Sequence, residues 1–124
     1  MAKRKRKLTA AEKAKKKRSF ATDVKAIYQR GMQLYLEEEN YIAGLKHLFR
    51  AAKAGYKKAY GEIGIILYRE KNEADKAEGW FKKAEEAGCL HAPHAYDYGM
   101  LLIEERGDIE RGNRYLDKAA EDGY

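Results

Sequence analysis

The feature that most constrains this chain is a short sequence motif that occurs three times. The copies read LFRAAKAGY, FKKAEEAGC and YLDKAAEDGY, and each ends on a glycine followed by one residue. A second glycine stands 24 residues before each of these, and the successive spacings are 33 and 35. The two glycine columns are Gly31, Gly64 and Gly99, and then Gly55, Gly88 and Gly123. A fixed period of this length indicates an array of similar units that stack on one another.

Four further columns agree when the units are aligned on the first glycine. They hold leucine, small residues, large apolar residues and alanine, in the order Leu34, Leu67, Leu102; Gly44, Ala77, Gly112; Leu48, Phe81, Leu116; and Ala51, Ala84, Ala119. Agreement at six columns in three registers is not expected by chance. We therefore predict a repeat domain over residues 23–124, with units at about 24–56, 57–91 and 92–124.

Each unit is predicted to contain two helices, because apolar residues recur near helical spacing. The predicted helices lie near residues 23–36, 41–54, 57–70, 73–87, 93–105 and 108–121. Asn40 and Asn72 are predicted to cap the helices that follow them. Gly55 and Gly88 are predicted to close the helices that precede them. Pro93 suits the first turn of a helix, where its missing N–H costs nothing.

Small residues inside the predicted helices indicate that paired helices come close together. Glycine in a helix costs about 1 kcal/mol relative to alanine, so the column that contains Gly31 requires a compensating contact. The second helix of each unit brings the column that contains Gly44 to face it. We therefore predict an all-α fold of three antiparallel helical hairpins, each of which buries its apolar face against its neighbours.

The positive charge of the chain is concentrated at its beginning. The formal net charge is +6, yet residues 1–18 hold ten Lys or Arg and one Glu, and the remaining residues carry a net charge of −3. Like charges at this density repel one another, so residues 1–22 are predicted to form a basic, disordered tail. The residues predicted to contact nucleic acid or another acidic surface are Lys3, Arg4, Lys5, Arg6, Lys7, Lys15, Lys16, Lys17 and Arg18.

Four roles are compatible with this tail. It could bind nucleic-acid phosphates, including those of ribosomal RNA, act as a nuclear import signal, touch an acidic membrane surface, or only increase solubility. Residues 1–18 contain no aromatic side chain, so stacking on single-stranded bases is not expected. The segment LTAAEKAKKKRS is compatible with helix formation on binding, because Ala, Glu and Lys favour helix.

Cysteine use and hydropathy predict where the chain resides. One cysteine cannot form an intramolecular disulfide, which favours a reducing compartment. No apolar run reaches the ~20 residues of a membrane span, and the first residues lack the apolar stretch of a secretory signal. We expect a cytoplasmic protein, or a nuclear one if the source is eukaryotic.

The segment CLHAPH is the strongest candidate for a metal or catalytic site. Cys89, His91 and His94 have side chains that bind zinc, and Asp97 follows one helical turn after His94. Their spacing matches no common zinc module, and Cys89 with His91 lacks an orienting third group for nucleophilic catalysis. No glycine-rich phosphate loop is present. We therefore predict no metal, no cofactor and no catalytic residue.

The stretch AYGEIGIILYREKNEADKAEGWFKKAEEAG, residues 59–88, resembles a Sel-one-like repeat, a relative of the tetratricopeptide repeat. That family's unit resembles A-x-x-x-L-G-x-x-Y, a short loop, and A-x-x-W-Y-x-K-A-A-x-x-G. The matching residues are, unit by unit, Gly31, Leu48, Ala51, Ala52 and Gly55; Ala59, Gly64, Ala77, Trp80, Phe81, Lys83, Ala84 and Gly88; and Gly99, Tyr115, Leu116, Lys118, Ala119, Ala120 and Gly123. The resemblance covers residues 24–124 and departs from the family in its short loops and in the leucine column, where the family has an aromatic.

The resemblance implies a right-handed α-solenoid that binds proteins or peptides without catalysis, with the first helices of the units lining a concave face. A stripe at helical spacing fits this face, and its Tyr and Met side chains provide adaptable contact area. The residues predicted to bind a peptide are Lys25, Tyr28, Met32, Tyr35, Lys58, Ile65, Tyr68, Arg69, Tyr96 and Met100. The basic edge of the stripe favours an acidic segment. The alternative is that these residues pack one unit against the next.

The sequence therefore predicts an adaptor or scaffold that binds a protein or peptide segment. The alternative function is RNA or DNA binding through the cationic tail, with the repeats as scaffold. The third unit lacks a dedicated capping helix, so self-association through the exposed C-terminal repeat is also expected.

Overall fold

A computed structural model describes residues 6–124 of the chain. The helices are α1 Ala10–Leu36, α2 Tyr41–Lys53, α3 Ala59–Arg69, α4 Ala74–Glu86, α5 Ala92–Arg106 and α6 Ile109–Glu121. Residues 6–124 contain no β-strand, and the predicted all-α fold of helical repeats is confirmed. Apart from α1, every helix begins and ends within two residues of its predicted bounds.

The helices pack as three hairpins: α1 on α2, α3 on α4, and α5 on α6. Consecutive hairpins are joined by contacts of α2 with α3, of α3 with α5 and of α4 with α5. The hydroxyl of Tyr35, near the end of α1, bonds Glu70, which directly follows α3, and that of Tyr68 bonds Glu104 near the end of α5. The first helices of the three units therefore run parallel, and their C-terminal ends lie side by side along one edge of the array.

The small-residue columns bring the two helices of a hairpin into backbone contact in the first and third units. A Cβ atom added to Gly44 would lie 2.8 Å from the carbonyl oxygen of Gly31, and one added to Gly99 would lie 2.7 Å from that of Gly112. The second unit differs, because a Cβ at Gly64 would instead meet the ring of Phe81, at 2.7 Å. Phe81 is larger than the leucines in its column, and it fills the space that the glycine leaves.

The core runs through the stack from one hairpin to the next. Phe81 and Tyr98 are fully buried, and their rings stack with centroids 5.4 Å apart between α4 and α5. Ile63 and Ile66 of α3 are fully buried as well. The units are consequently held together by apolar burial between hairpins, as well as within them.

The second helix of each unit ends in the same motif. In α2, the N–H of Tyr56 donates to the carbonyl of Ala51, and that of Gly55 donates to Ala52. The equivalent pairs in α4 and α6 are Cys89 to Ala84, Gly88 to Glu85, Tyr124 to Ala119 and Gly123 to Ala120. These are Schellman bonds, and the positive φ of 91° at Gly55 and 72° at Gly88 is the conformation that glycine adopts without strain. The predicted glycine C-termini are confirmed.

One of the two predicted N-caps is confirmed and the other is wrong. The side chain of Asn40 accepts a bond from the N–H of Ala43, at 3.2 Å. Asn72 does not cap α4; it lies one residue earlier, in a left-handed conformation with φ 53°. The residue at the cap position is Glu73, whose longer side chain makes no capping bond. The third unit places Asp108 at this position, and Asp108 caps α6.

Substitution of Glu73 by aspartate is expected to stabilise the protein. The backbone of Glu73, with φ −105° and ψ 72°, matches that of Asn40, so a shorter carboxylate there should reach the free N–H groups of α4. We expect Glu73→Asp to raise the free energy of unfolding by about 1 kcal/mol in urea titrations, and Asn40→Ala to lower it by a similar amount. Equal stability of Glu73→Asp and the natural protein would contradict this explanation.

Helix α1 begins at Ala10, whereas the sequence predicted a start at residue 23. Disorder was predicted for residues 1–22, whereas residues 10–22 are helical and continuous with the first repeat unit, and residues 1–5 lie outside the described residues. Helix elongation is easier than nucleation, and the part of α1 that packs on α2 supplies the nucleus. The Ala and Lys residues that precede it have high helix propensity.

The start of α1 is fixed by a capping box. The Thr9 side chain accepts from the N–H of Glu12, and the Glu12 carboxylate accepts from the N–H of Thr9. Arg6 donates two hydrogen bonds to the same carboxylate, at 2.8 and 2.7 Å, and lowers the pKa of Glu12 to about 2. Val24 is the first buried residue of α1. We call the described residues before it, 6–23, the α1 extension.

Candidate functional site

Two adjoining depressions lie along the C-terminal ends of the first helices. One is about 520 Å³ and the other about 380 Å³, and both are lined by Arg69. The first is also lined by Tyr35, Leu36, Glu39, Tyr41 and Glu70, and the second by Tyr68, Asn72, Tyr96, Asp97, Met100, Glu104 and Glu105. We call the two together the first-helix groove. It has the aromatic and thioether side chains that suit an adaptable protein contact.

Arg69 is held at the centre of the groove by a buried carboxylate. Its guanidinium donates two hydrogen bonds to Asp97, at 2.7 and 2.6 Å, and Asp97 is only 2% exposed. This bond raises the pKa of the Arg69 guanidinium, which stays charged. Burial raises the pKa of the Asp97 carboxyl, while the bonds from Arg69 oppose that effect. The positive charge of Arg69 is thus largely neutralised by the carboxylate of Asp97.

Tyrosines on the groove donate to glutamates of the next unit. The hydroxyl of Tyr68 lies 2.7 Å from Glu104, and that of Tyr35 lies 3.2 Å from Glu70. Burial, reinforced by Glu70, raises the pKa of Tyr35 to about 12, and burial together with Glu104 raises that of Tyr68. Both phenols therefore stay protonated, so they can only be neutral hydrogen-bonding partners of a ligand.

The groove is acidic. Its lining includes one arginine and five carboxylates, a formal net charge of −4. The carboxylates are Glu39, Glu70, Asp97, Glu104 and Glu105. Four of them are exposed, and their field in a partly enclosed surface attracts cations. This differs from the basic edge predicted from the sequence, and the acidic partner predicted with it does not match the charge of this groove.

The structure brings together half of the residues predicted to bind a peptide. Those that line the groove are Tyr35, Tyr68, Arg69, Tyr96 and Met100. The others lie elsewhere: Lys25 and Lys58 are exposed away from it, Ile65 is buried in the core, and Tyr28 and Met32 pack partly buried against the core. Ile65, Tyr28 and Met32 therefore contribute to the packed core and not to the groove.

The acidic residues of the groove were missed in the sequence, although a pattern for them was present. Tyr96, Met100 and Glu104 follow at i, i+4 and i+8 along α5, so they share one face of that helix. The same spacing that identified Tyr96 and Met100 therefore also indicates Glu104. The Arg69–Asp97 pair joins two helices and has no local pattern that could reveal it.

The buried side chain of His94 fills a gap in the second unit. It is 2% exposed, and its Nε2 lies 2.7 Å from the Glu62 carboxylate. Its Nδ1 accepts from the N–H of His91 at 3.1 Å. The ring sits over Gly61, where a Cβ would lie 2.3 Å from Nδ1. Within residues 6–124, no three His, Cys, Asp or Glu side chains are placed to hold a metal ion together.

Gly61→Ala is expected to destabilise the protein because of this ring. The added methyl group would overlap His94, and overpacking in a core typically costs about 1–3 kcal/mol. We expect the cost of Gly61→Ala to be smaller in a His94→Ala background, where the overlap is absent. A double-mutant cycle of unfolding free energies measures this coupling. Additive effects of the two substitutions would show that the ring and the glycine do not constrain each other.

The α1 extension carries much of the predicted cationic surface. Lys3, Arg4 and Lys5 lie outside the described residues. Arg6 is bound to Glu12, and the remaining predicted contact residues are exposed. These are Lys7, Lys15, Lys16, Lys17 and Arg18. The lysines at 15–17 follow consecutively on a helix and therefore point to different sides of it.

None of the helices within residues 6–124 is both long enough and apolar enough to cross a lipid bilayer.

Comparison with known proteins places the repeats in a broad class. No protein-family model matches the chain. A TPR repeat-containing protein of Dictyostelium discoideum is 34% identical over 56 residues, which are 45% of this chain and 21% of that relative. The match thus spans about a fifth of the relative's length. Together with the six-helix fold, it supports tetratricopeptide-like repeats, a scaffold that in general serves protein interaction.

Proposed function

We propose that this chain is a non-catalytic adaptor that binds a basic protein segment in the first-helix groove. The observation that carries the proposal is the combination of exposed carboxylates with Tyr68, Tyr96 and Met100 in one groove across two units. The aromatic and thioether groups supply contact area, while the carboxylates select Lys or Arg. A helical or extended segment suits a groove that runs across neighbouring helices.

The proposed subtype of the repeats is Sel-one-like. It is supported by the second unit, in which Ala77, Trp80 and Phe81 stand at the spacing of that family, and by the close approach of helices at the glycine columns.

Peptide selection on the immobilised full chain tests the proposed function. A random peptide library is displayed and selected on the natural protein, on Glu104→Lys/Glu105→Lys, and on a control with the same charge change on α6. The control substitutes the exposed Glu110 and Glu121 by lysine. We expect enrichment of Lys- and Arg-containing peptides on the natural protein and on the control, with loss of this enrichment on the groove variant.

Two results of the selection would contradict the proposal. Enrichment of acidic peptides on the natural protein would show that the carboxylates do not select the ligand. Enrichment of the same basic peptides on the groove variant would place their binding site on another surface.

A further inference from the structure

We propose that the α1 extension of one copy of this chain binds the first-helix groove of a second copy. The inference rests on the proposed function, because it names the basic segment that the groove takes. The sequence led us to expect self-association through the C-terminal repeat. The inference specifies this contact, because Tyr96, Met100 and Glu104 of the groove belong to that repeat.

Charge complementarity is the first argument. The α1 extension contains seven Lys or Arg and two acidic residues, Asp23 and Glu12, the second of which Arg6 already binds. The groove has a formal net charge of −4, and four of its five carboxylates are exposed. Complementary fields of this kind steer association and fix its orientation.

Apolar complementarity is the second argument. Leu8 is 37% exposed and Phe20 is 58% exposed, and together with Lys13, Lys16 and Lys17 they line a single depression of about 400 Å³. The extension therefore presents apolar and cationic groups on one surface. A phosphate backbone would engage the lysines but would leave Phe20 in water, whereas the groove offers Tyr68, Tyr96 and Met100 to it. These groups favour a protein groove over nucleic acid as the partner.

The geometry of α1 requires that the contact is made between copies. The extension lies at the N-terminal end of α1, and the groove lies at the C-terminal ends of α1, α3 and α5. A helix rises 1.5 Å per residue, so the 27 residues of α1 span roughly 40 Å. Because α1 is a continuous helix, its N-terminal extension cannot fold back to the groove at the C-terminal ends of the first helices in the same copy. It can reach the groove of another copy.

The interface that results is heterologous, because the extension and the groove are different surfaces. Each copy in a head-to-tail contact keeps one free extension or one free groove, so association continues as the concentration rises. The contact should weaken in salt, because exposed charges are screened beyond about 3 Å at 1 M and about 10 Å at 0.1 M.

Sedimentation velocity of the nuclease-treated full chain tests the inference. At about 50 mM salt we expect the average mass to rise with concentration from 14.3 kDa to at least twice that value, and to return to 14.3 kDa at about 500 mM. Lys13→Glu/Lys16→Glu/Lys17→Glu and Glu104→Lys/Glu105→Lys should each remain monomeric alone, and an equimolar mixture of the two variants should associate again. The control Lys46→Glu/Lys53→Glu/Lys57→Glu changes exposed lysines outside the extension and should associate like the natural protein.

A natural protein that stays at 14.3 kDa at low salt overturns the inference. So does assembly that survives both charge reversals, or a mixture that stays monomeric. A monomeric chain that retards a labelled RNA or DNA oligonucleotide through Lys13, Lys16 and Lys17 would assign the extension to phosphates instead. If the chain stayed monomeric but its groove still selected basic peptides, the proposed function would stand and this inference would be wrong. If the chain neither bound basic peptides nor associated with itself, both proposals would be wrong.

Discussion

Replacement of Phe81 by alanine should remove a large part of the stability of the whole array. The side chain is fully buried, its ring fills the space above Gly64, and it stacks on Tyr98 of the next unit. Loss of a buried phenyl ring typically costs about 3–5 kcal/mol. A repeat array is stabilised mainly by contacts between neighbours, so the second and third hairpins should both lose support. Urea titration followed by circular dichroism measures the change.

Phe49 provides the matched control for this prediction. It lies on α2, is 38% exposed, and contacts the Trp80 ring with centroids 5.7 Å apart. We expect Phe49→Ala to cost about 1 kcal/mol, the value typical of a partly exposed position. If Phe81→Ala cost no more than Phe49→Ala, the ring would not hold the units together.

Alanine substitution of two helical glycines should change stability in opposite directions. A Cβ at Gly99 would lie 2.7 Å from the carbonyl oxygen of Gly112 and 3.0 Å from Leu116. A backbone atom cannot rotate away, so α5 and α6 must separate, with an expected loss of about 1–3 kcal/mol. Gly79 lies in α4, and within residues 6–124 a Cβ there would have no heavy atom within 4 Å apart from its chain neighbours and the backbone of its own helix. Gly79→Ala should therefore gain up to about 1 kcal/mol from helix propensity.

Thermal and urea unfolding of the two variants measure this difference in sign. The comparison removes the general effect of glycine on the unfolded chain, because both substitutions restrict that state equally. If both substitutions stabilised the protein, the helices of a hairpin would have room for a side chain between them. Close helix contact would then not explain why the glycine columns contain glycine.

The periodic part of the fold was predictable because each unit repeats the same local choices. The column of Gly55 and Gly88 has one conformational role, so its positions identify helix ends directly. Asn72 was misassigned as a cap because asparagine also adopts the left-handed conformation readily. Alignment with Asn40 and Asp108 places Glu73 in the cap column, and this alignment corrects the assignment.

The site was only partly predictable, because its charge depends on contacts between units. Arg69 reads as a free cation in the sequence, and only the folded chain shows Asp97 bound to it. Gly61 aligns with Tyr28 and Tyr96 of the other units, and in the structure His94 of the next unit occupies the space beside this glycine. The density of like charges predicts disorder before residue 23, but the helix propensity of Ala and Lys and the capping box of Thr9 and Glu12 extend α1 to Ala10.

Chemical-shift mapping tests the central claim, that the first-helix groove is the protein-binding surface, most directly. The isotope-labelled full chain is titrated with the basic peptide most enriched in the selection. We expect the largest amide and side-chain shifts at Tyr68, Met100 and Glu104, with small shifts along α2, α4 and α6. The affinity should fall at least tenfold in Glu104→Lys/Glu105→Lys, which corresponds to about 1.4 kcal/mol. Shifts that cluster on the second helices, with the groove unchanged, would contradict the account.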